Sequence, residues 1–236
     1  MLEFAAEAVV FDLDGTLLDH DGASDAAVVQ WAGARGSDEA PAALLARWHE
    51  AEEWYYTLYE QGTLTFAEQR AARIRAVLDE PDLPEAAALA EYAAYQQWYE
   101  AGWRGFPDGV RAVERCRAAG LRIGVLTNGE PDQQNRKLAR IGVAIDPGQV
   151  LISGALGVAK PDPRVYELAC QALNSPPRRT LMVGDDEAKD YRGALAAGLQ
   201  AVLIDRSGVT PEALTTLDDL TVVPDRPNVP DRPNVP

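Results

Sequence analysis

Two carboxylates stand two residues apart in Asp12-Leu13-Asp14-Gly15-Thr16, directly after the apolar run at 8–11. A carboxylate can act as a covalent nucleophile, so this pair suits hydrolysis of a phosphate ester without a histidine base. In open α/β sheets, ligands bind beyond the carboxyl ends of the strands. Gly15 would let the chain leave a strand there and bring its backbone close to a ligand. The competing reading is a turn with two solvated aspartates, because Asp-Gly is a common turn pair.

Three later clusters offer matching chemistry. Thr127-Asn128-Gly129 follows the apolar run at 123–126 and supplies a hydroxyl and backbone N–H donors near a helix start, groups that suit phosphoryl oxygens. Asn-Gly is also an ordinary turn signal. Lys160 precedes a helix opened by Pro163, where a lone lysine is commonly a solvated surface charge. Gly184-Asp185-Asp186 follows an apolar run at 181–183, with Asp190 four residues past Asp186. Carboxylates at a strand end are the hard oxygen ligands that magnesium takes, together with phosphate and water. Asp190 could equally cap the following helix.

The elements that must position these groups follow from apolar periodicity. Continuous apolar runs at 8–11, 123–126, 180–183 and 201–204 read as strands buried on both faces. Helical patterns at 108–119, 131–140, 163–173 and 191–197 alternate with them, which predicts a parallel sheet with right-handed crossovers. Three of those helices stop at Gly120, Gly142 and Gly198. Residues 19–104 differ, offering helical stretches at 26–34, 41–60, 65–78 and 84–100 and no clear strand. Leu44, Trp48, Ala51, Tyr55 and Leu58 recur on one helix face, and Thr65 with Glu68 reads as a capping box. All five tryptophans fall in this insert, as core for a small bundle or as the lining of a pocket.

Composition sets the frame. At 236 residues, 47% hydrophobic and 25% charged, the chain has the make-up of an ordinary globule. It has no run of the roughly 20 apolar residues that a membrane span requires, and its first residues do not read as a secretory signal, so a cytoplasmic location is expected. The net charge of −15 argues against a nucleic-acid partner. An anionic substrate would need a local cation. Cys116 and Cys170 lack neighbours at metal-ligand spacing and read as reduced packing residues. Residues 224–236 repeat Pro-Asp-Arg-Pro-Asn-Val, a proline density that favours an extended or disordered tail, either solvated or a docking peptide.

Taken together, Phe11-Asp12-Leu13-Asp14-Gly15-Thr16, Leu126-Thr127-Asn128-Gly129, Lys160-Pro161-Asp162-Pro163 and Val183-Gly184-Asp185-Asp186 through Asp190 resemble the four motifs of the haloacid dehalogenase-like hydrolases. The resemblance spans nearly the whole chain up to about residue 223. It implies an α/β fold: a Rossmann-like doubly wound parallel sheet as a discontinuous core (1–18 and 105–223) and an inserted all-helical cap (19–104). It also implies a magnesium-dependent phosphatase acting on small-molecule phosphate monoesters; apart from the resemblance, a monomer or homodimer is expected. A sugar phosphomutase and a non-catalytic phospho-ligand-binding protein are the alternatives.

The same resemblance assigns roles. Asp12 would attack phosphorus; Asp14 would protonate the leaving alcohol and then activate water. Thr127 and the Asn128 amide would hold phosphoryl oxygens, with Lys160 stabilising the charge. The Asp12 and Asp185 carboxylates and the Asp14 carbonyl would bind magnesium, supported from behind by Asp186 or Asp190. Asp14 is the residue that the family's dehalogenases lack, which disfavours dehalogenation. Within the insert, His20, Arg70, Arg73, Tyr99 and Arg104 are candidates for substrate selection or for structural roles.

Overall fold

A computed structural model describes residues 2–225, and these fall into two compact units, one built from the chain before Asp19 and after Arg104, the other from residues 19–104. In the first unit, β2 (Ala8–Phe11) lies at the centre of a five-stranded parallel sheet. It pairs with β3 (Arg122–Thr127) on one side and β5 (Thr180–Gly184) on the other, so that Val10 sits opposite both Gly124 and Met182. Beyond these lie β4 (Val150–Ile152) and β6 (Gln200–Leu203), giving the order β4-β3-β2-β5-β6. Every residue of β2 and β5 is buried, which is why both read as unbroken apolar runs.

The strand order explains how distant motifs meet. Asp12, Asn128 and Asp185 each follow the last residue of β2, β3 or β5, and these three strands are neighbours. The chain moves outward from β2 in both directions, which makes the carboxyl end of β2 a topological switch point. The helices α5 (Pro107–Ala118), α6 (Pro131–Ile141) and α8 (Pro163–Ala172), each opening on a proline, form the crossovers, and a short α7 (Ser153–Leu156) follows β4. Gly142, at φ 71°, ends α6 in the left-handed conformation its position in the sequence implied. Val165 and Tyr166 of α8, with Leu173 just past its end, pack with Val10, Leu126 and Met182 in one apolar cluster.

Some features depart from the sequence reading. A second, two-stranded parallel sheet joins β1 (Leu2–Ala6) to β7 (Leu220–Pro224); half-exposed strands of this kind give no clean apolar pattern. Where one helix was expected at 191–197, the chain makes a π-helical turn (Glu187–Arg192) and then a short α9 (Gly193–Ala196). Of the proline-rich stretch, Pro224 closes β7 and the Asp225 N–H donates to the Ala6 carbonyl at 2.8 Å. Residues 226–236, on which the expectation of a disordered tail mostly rests, lie outside the described residues.

The second unit is four helices: α1 (His20–Ala34), α2 (Pro41–Glu60), α3 (Phe66–Leu78) and α4 (Glu85–Gly102). Helix α1 begins six residues before its apolar pattern because the Asp19 side chain caps it, accepting from Gly22 N–H at 3.0 Å. The capping box of Thr65 and Glu68 is formed at the start of α3. Trp31, Trp48 and Tyr95 make the aromatic centre, with Trp48 and Tyr95 ring centroids 4.3 Å apart. Trp103 is buried as well, whereas Trp54 and Trp98 are exposed. Within this bundle Arg73 is buried and meets Glu52 at 2.5 Å. Burial works to raise the Glu52 carboxyl, but the charge of Arg73 and then of His20 holds it below the usual range. The ends of the unit are tied together, the Asp19 N–H donating to the Arg104 carbonyl at 2.9 Å. In the first unit Leu18 and Gly105 form an antiparallel bridge. Among the described residues no helix is long and apolar enough to cross a membrane.

Candidate active site

Asp12 leaves β2 with its N–H still in the ladder, donating to the Val183 carbonyl at 2.9 Å, so the first turn of the loop is held by the sheet itself. Its carboxylate is nearly sequestered and accepts from Lys160 Nζ at 2.5 Å. The same ammonium donates to Asp190 Oδ1 at 2.6 Å. Lys160, which read as a surface charge when taken alone, is buried. It is fixed from the backbone side by Asn128: the Lys160 N–H donates to Asn128 Oδ1 at 2.9 Å, and Asn128 Nδ2 donates to the Lys160 carbonyl at 3.0 Å. Asn128 thus uses its side chain to latch the lysine loop to the end of β3.

Asp12, Asp185 and Asp190 bring one carboxylate oxygen each to within 4.8 Å of one another. Asp185 retains solvent access and accepts from Thr16 Oγ1 at 3.0 Å. Two glycines make this crowding possible. A Cβ on Gly15, which stands at φ 78°, would collide with the Asp185 carboxylate, and one on Gly184 with that of Asp190. Asp190 does not cap the following helix. That task falls to Asp186, whose Oδ1 accepts from Ala188 N–H at 2.9 Å and Lys189 N–H at 2.8 Å. The π-helical turn then points the buried Asp190 back at Lys160 and at the Asp186 N–H, which donates to it at 3.1 Å.

The electrostatics follow from this crowding. Burial pushes the Asp12 carboxyl well above the usual carboxylate range; Lys160 opposes the shift, while Asp190 and Asp185 add to it. Asp185 is pushed up to about 7, first by desolvation and then by the Asp190 charge. Burial alone would lower the Lys160 ammonium, but Asp12 and Asp190 outweigh it and hold it high. Asp12 and Asp190 share a single ammonium and Asp185 stands beside them, so the cluster holds more carboxylates than cations. A divalent cation would cancel that excess, and carboxylate oxygens are the donors a hard cation such as magnesium takes. The residues present therefore fit the metal.

Asp14 belongs to a separate pair. Its two carboxylate oxygens accept from Lys137 Nζ at 2.8 and 2.7 Å, and Oδ2 also accepts from Gln134 Nε2 at 3.0 Å. Gln134 Nε2 donates as well to Thr127 Oγ1 at 2.7 Å. Lys137 and Gln134 did not stand out in the sequence, although their i, i+3 spacing on the helix after Thr-Asn-Gly puts them on one face. Arg206 was missed too. It donates from Nε to the Gly15 carbonyl at 3.2 Å and from Nη2 to the Thr16 carbonyl at 2.8 Å, lies over the Phe106 ring, and pairs with Asp108 at 3.0 Å. The loop carrying Asp14 is thereby clamped from outside.

The remaining candidates lie in the helical unit. His20 Nδ1 is 2.6 Å from the Tyr99 hydroxyl, Arg73 is held by Glu52 and Gln69, and Arg70 lies over the Phe66 ring at 4.0 Å. Arg104 is exposed, its carbonyl accepting from Asp19.

The sequence profile of the haloacid dehalogenase-like hydrolases matches residues 6–198. The chain belongs to this family. A phosphoserine phosphatase of Thermus thermophilus is 44% identical over 107 residues, covering 45% of this chain and 43% of the relative. The chain spans about half the length of this and other curated relatives it matches. An (S)-2-haloacid dehalogenase of Burkholderia cepacia is 30% identical over 219 residues, covering 87% of this chain and 85% of that one. Among solved structures, the HAD-hydrolase YfnB of Bacillus subtilis, bound to magnesium, superposes with a TM-score of 0.74 at 19% identity, covering 91% of this chain and 96% of its own. At that identity the likeness speaks for the haloacid dehalogenase-like fold alone.

Proposed function

We propose that this haloacid dehalogenase-like hydrolase is a magnesium-dependent phosphatase that cleaves small-molecule phosphate monoesters through an aspartyl-phosphate on Asp12. The observation that carries the reading is a second carboxylate, Asp14, two residues from the nucleophile and gripped by Lys137 and Gln134. Displacing a halide from a 2-haloacid needs no proton donor at the leaving group. Releasing an alcohol from a phosphate does.

The chemistry assigned to these residues balances as follows. An Asp12 carboxylate oxygen bonds to phosphorus while the bond from phosphorus to the ester oxygen breaks, and that oxygen leaves as an alcohol with the proton of Asp14. A water then bonds to phosphorus, giving its proton to Asp14, while the bond from phosphorus to Asp12 breaks and phosphate departs. Thr127 and the Asn128 backbone amide bind phosphoryl oxygens, and Lys160 stabilises charge on Asp12 and the phosphoryl group. Asp12, Asp185 and the Asp14 carbonyl would hold the magnesium, with Asp190 behind them. When bound, it supplies the positive charge that the carboxylate cluster lacks.

The deciding experiment measures phosphate release from a panel of alkyl and aryl phosphates, with and without magnesium, beside chloride release from 2-chloropropionate. Magnesium-dependent phosphate release, lost in Asp12→Asn with the fold retained, is the expected result. Halide release without ester hydrolysis would assign the chain to the dehalogenases instead.

A further inference from the structure

Lys137 is a buried ammonium, its side chain only 4% exposed, that donates to both oxygens of the Asp14 carboxylate. A different ammonium, Lys160, serves Asp12 and Asp190. Helix α6 thus brings a desolvated charge to both oxygens of Asp14. Ordering and burying a lysine is costly, and a solvated aspartate would need no such partner. The expense is understandable if the direction of the Asp14 carboxylate matters.

Gln134, one turn earlier, extends the arrangement. It is buried, and its amide donates to Asp14 Oδ2, to Thr127 Oγ1 and, at 3.2 Å, to the Asn128 carbonyl. All three partners are acceptors, which fixes the amide orientation. Because Thr127 Oγ1 receives a hydrogen from Gln134, its own hydrogen must point elsewhere, and here it goes to the Asn128 carbonyl at 3.3 Å, beside the amide expected to meet phosphate. One face of α6 therefore sets both the leaving-group carboxylate and the donor direction of the phosphate-binding hydroxyl. Gln134 and Lys137 need only be three residues apart to do so.

We infer that Lys137 and Gln134 are positioning residues: Lys137 aims Asp14 at the leaving-group oxygen, and Gln134 couples that carboxylate to Thr127. The inference rests on the phosphatase reading for the meaning of "leaving group", but not for the geometry. A general acid contributes most when its partner is a poor leaving group. Loss of aim at Asp14 should therefore hurt alkyl phosphates, whose alkoxide must be protonated, far more than 4-nitrophenyl phosphate, whose phenolate leaves unaided.

The test compares Lys137→Met with the unaltered full chain, each shown to be folded by its thermal melt. For the first chemical step, read as kcat/KM, the loss on glycerol phosphate is expected to exceed the loss on 4-nitrophenyl phosphate by about tenfold or more. In an Asp14→Asn background, Lys137→Met should bring no further loss, because it acts through that carboxylate. Equal losses on both esters, or full additivity with Asp14→Asn, would overturn the inference.

A second readout does not need turnover. With magnesium chloride present, orthovanadate mimics the five-coordinate state with an oxygen at the leaving-group position, whereas inorganic phosphate does not. By titration calorimetry Lys137→Met should weaken vanadate about tenfold or more and phosphate by less than about twofold, while Gln134→Leu should weaken both. Equal weakening of the two anions by Lys137→Met would also refute it. If Lys137→Met does not fold, Lys137→Ala, which likewise removes the donor to Asp14, carries the same measurements. A chain that hydrolyses no ester yet shows the vanadate contrast would remove the phosphatase reading and leave the positioning role standing; one that binds neither anion would remove both.

Discussion

The Lys160 ammonium sits 2.5 Å from Asp12 and 2.6 Å from Asp190, with all three side chains at 8% exposure or less. One charge therefore holds apart two carboxylates that would otherwise face each other in a place with little water. Removing it strips both at once. Lys160→Met is expected to lower stability by about 3 kcal/mol at neutral pH and to cut kcat by about a hundredfold or more. Urea unfolding and steady-state hydrolysis of 4-nitrophenyl phosphate would check the two effects separately.

The surplus of negative charge makes stability depend on pH and on metal. The Asp185 carboxyl, 3.8 in the unfolded chain, is raised in the folded protein to about 7 by desolvation and then by Asp190. A raised carboxyl means that the folded state binds the proton more tightly, so this contribution is fully present below the unfolded value and lost as pH rises through the folded one. Metal-free protein is therefore expected to lose stability between about pH 4 and pH 7, and magnesium to restore it at the upper end. Urea midpoints in EDTA and in magnesium chloride across that range test this. A metal-free midpoint that climbs with pH would contradict it.

Gly15→Ala should fail for two independent reasons. The residue stands at φ 78°, and an added Cβ would strike the Asp185 carboxylate. The backbone strain alone is worth roughly 1–2 kcal/mol. Displacement of Asp185 should weaken magnesium activation beyond what that strain explains, seen as a rightward shift in a magnesium titration of activity.

Arg206→Met should loosen the loop around Asp14 without touching any reacting group. It removes the donors to the Gly15 and Thr16 carbonyls and leaves Asp108 facing Thr216 and the Leu217 N–H without its cation. A loss of about 3 kcal/mol is expected from the broken pair, with a fall in kcat larger than any change in KM. An unchanged unfolding midpoint would show that the clamp carries no load.

Much of this arrangement was readable in advance because burial on both faces writes itself as unbroken apolar runs, as in Ala8–Phe11 and Thr180–Gly184. The polar residues that follow those runs stood out by position. What stayed hidden was chemistry that looks like surface. Lys137 and Gln134 lie on a helix of low hydrophobicity, and only tertiary contact with Asp14 shows that they are buried. Arg206 is brought to Gly15 and Thr16 from 190 residues away, a distance no local pattern spans. For Asp190 the sequence leaves a helix cap open beside a place in the carboxylate cluster, because nothing in its neighbours foretells a π-helical turn. Strand β4, with three residues, is too short for periodicity to detect.

The short bond from Asp19 to the Arg104 carbonyl, beside the bridge between Leu18 and Gly105, has a consequence for heredity. Eighty-six residues leave the first unit after Leu18 and re-enter it at Gly105, and the bridge keeps those two ends together. A different bundle spliced at those two peptide bonds is expected to inherit an unaltered set of carboxylates and lysines. Lineages could in this way exchange what they select while conserving what they do to it.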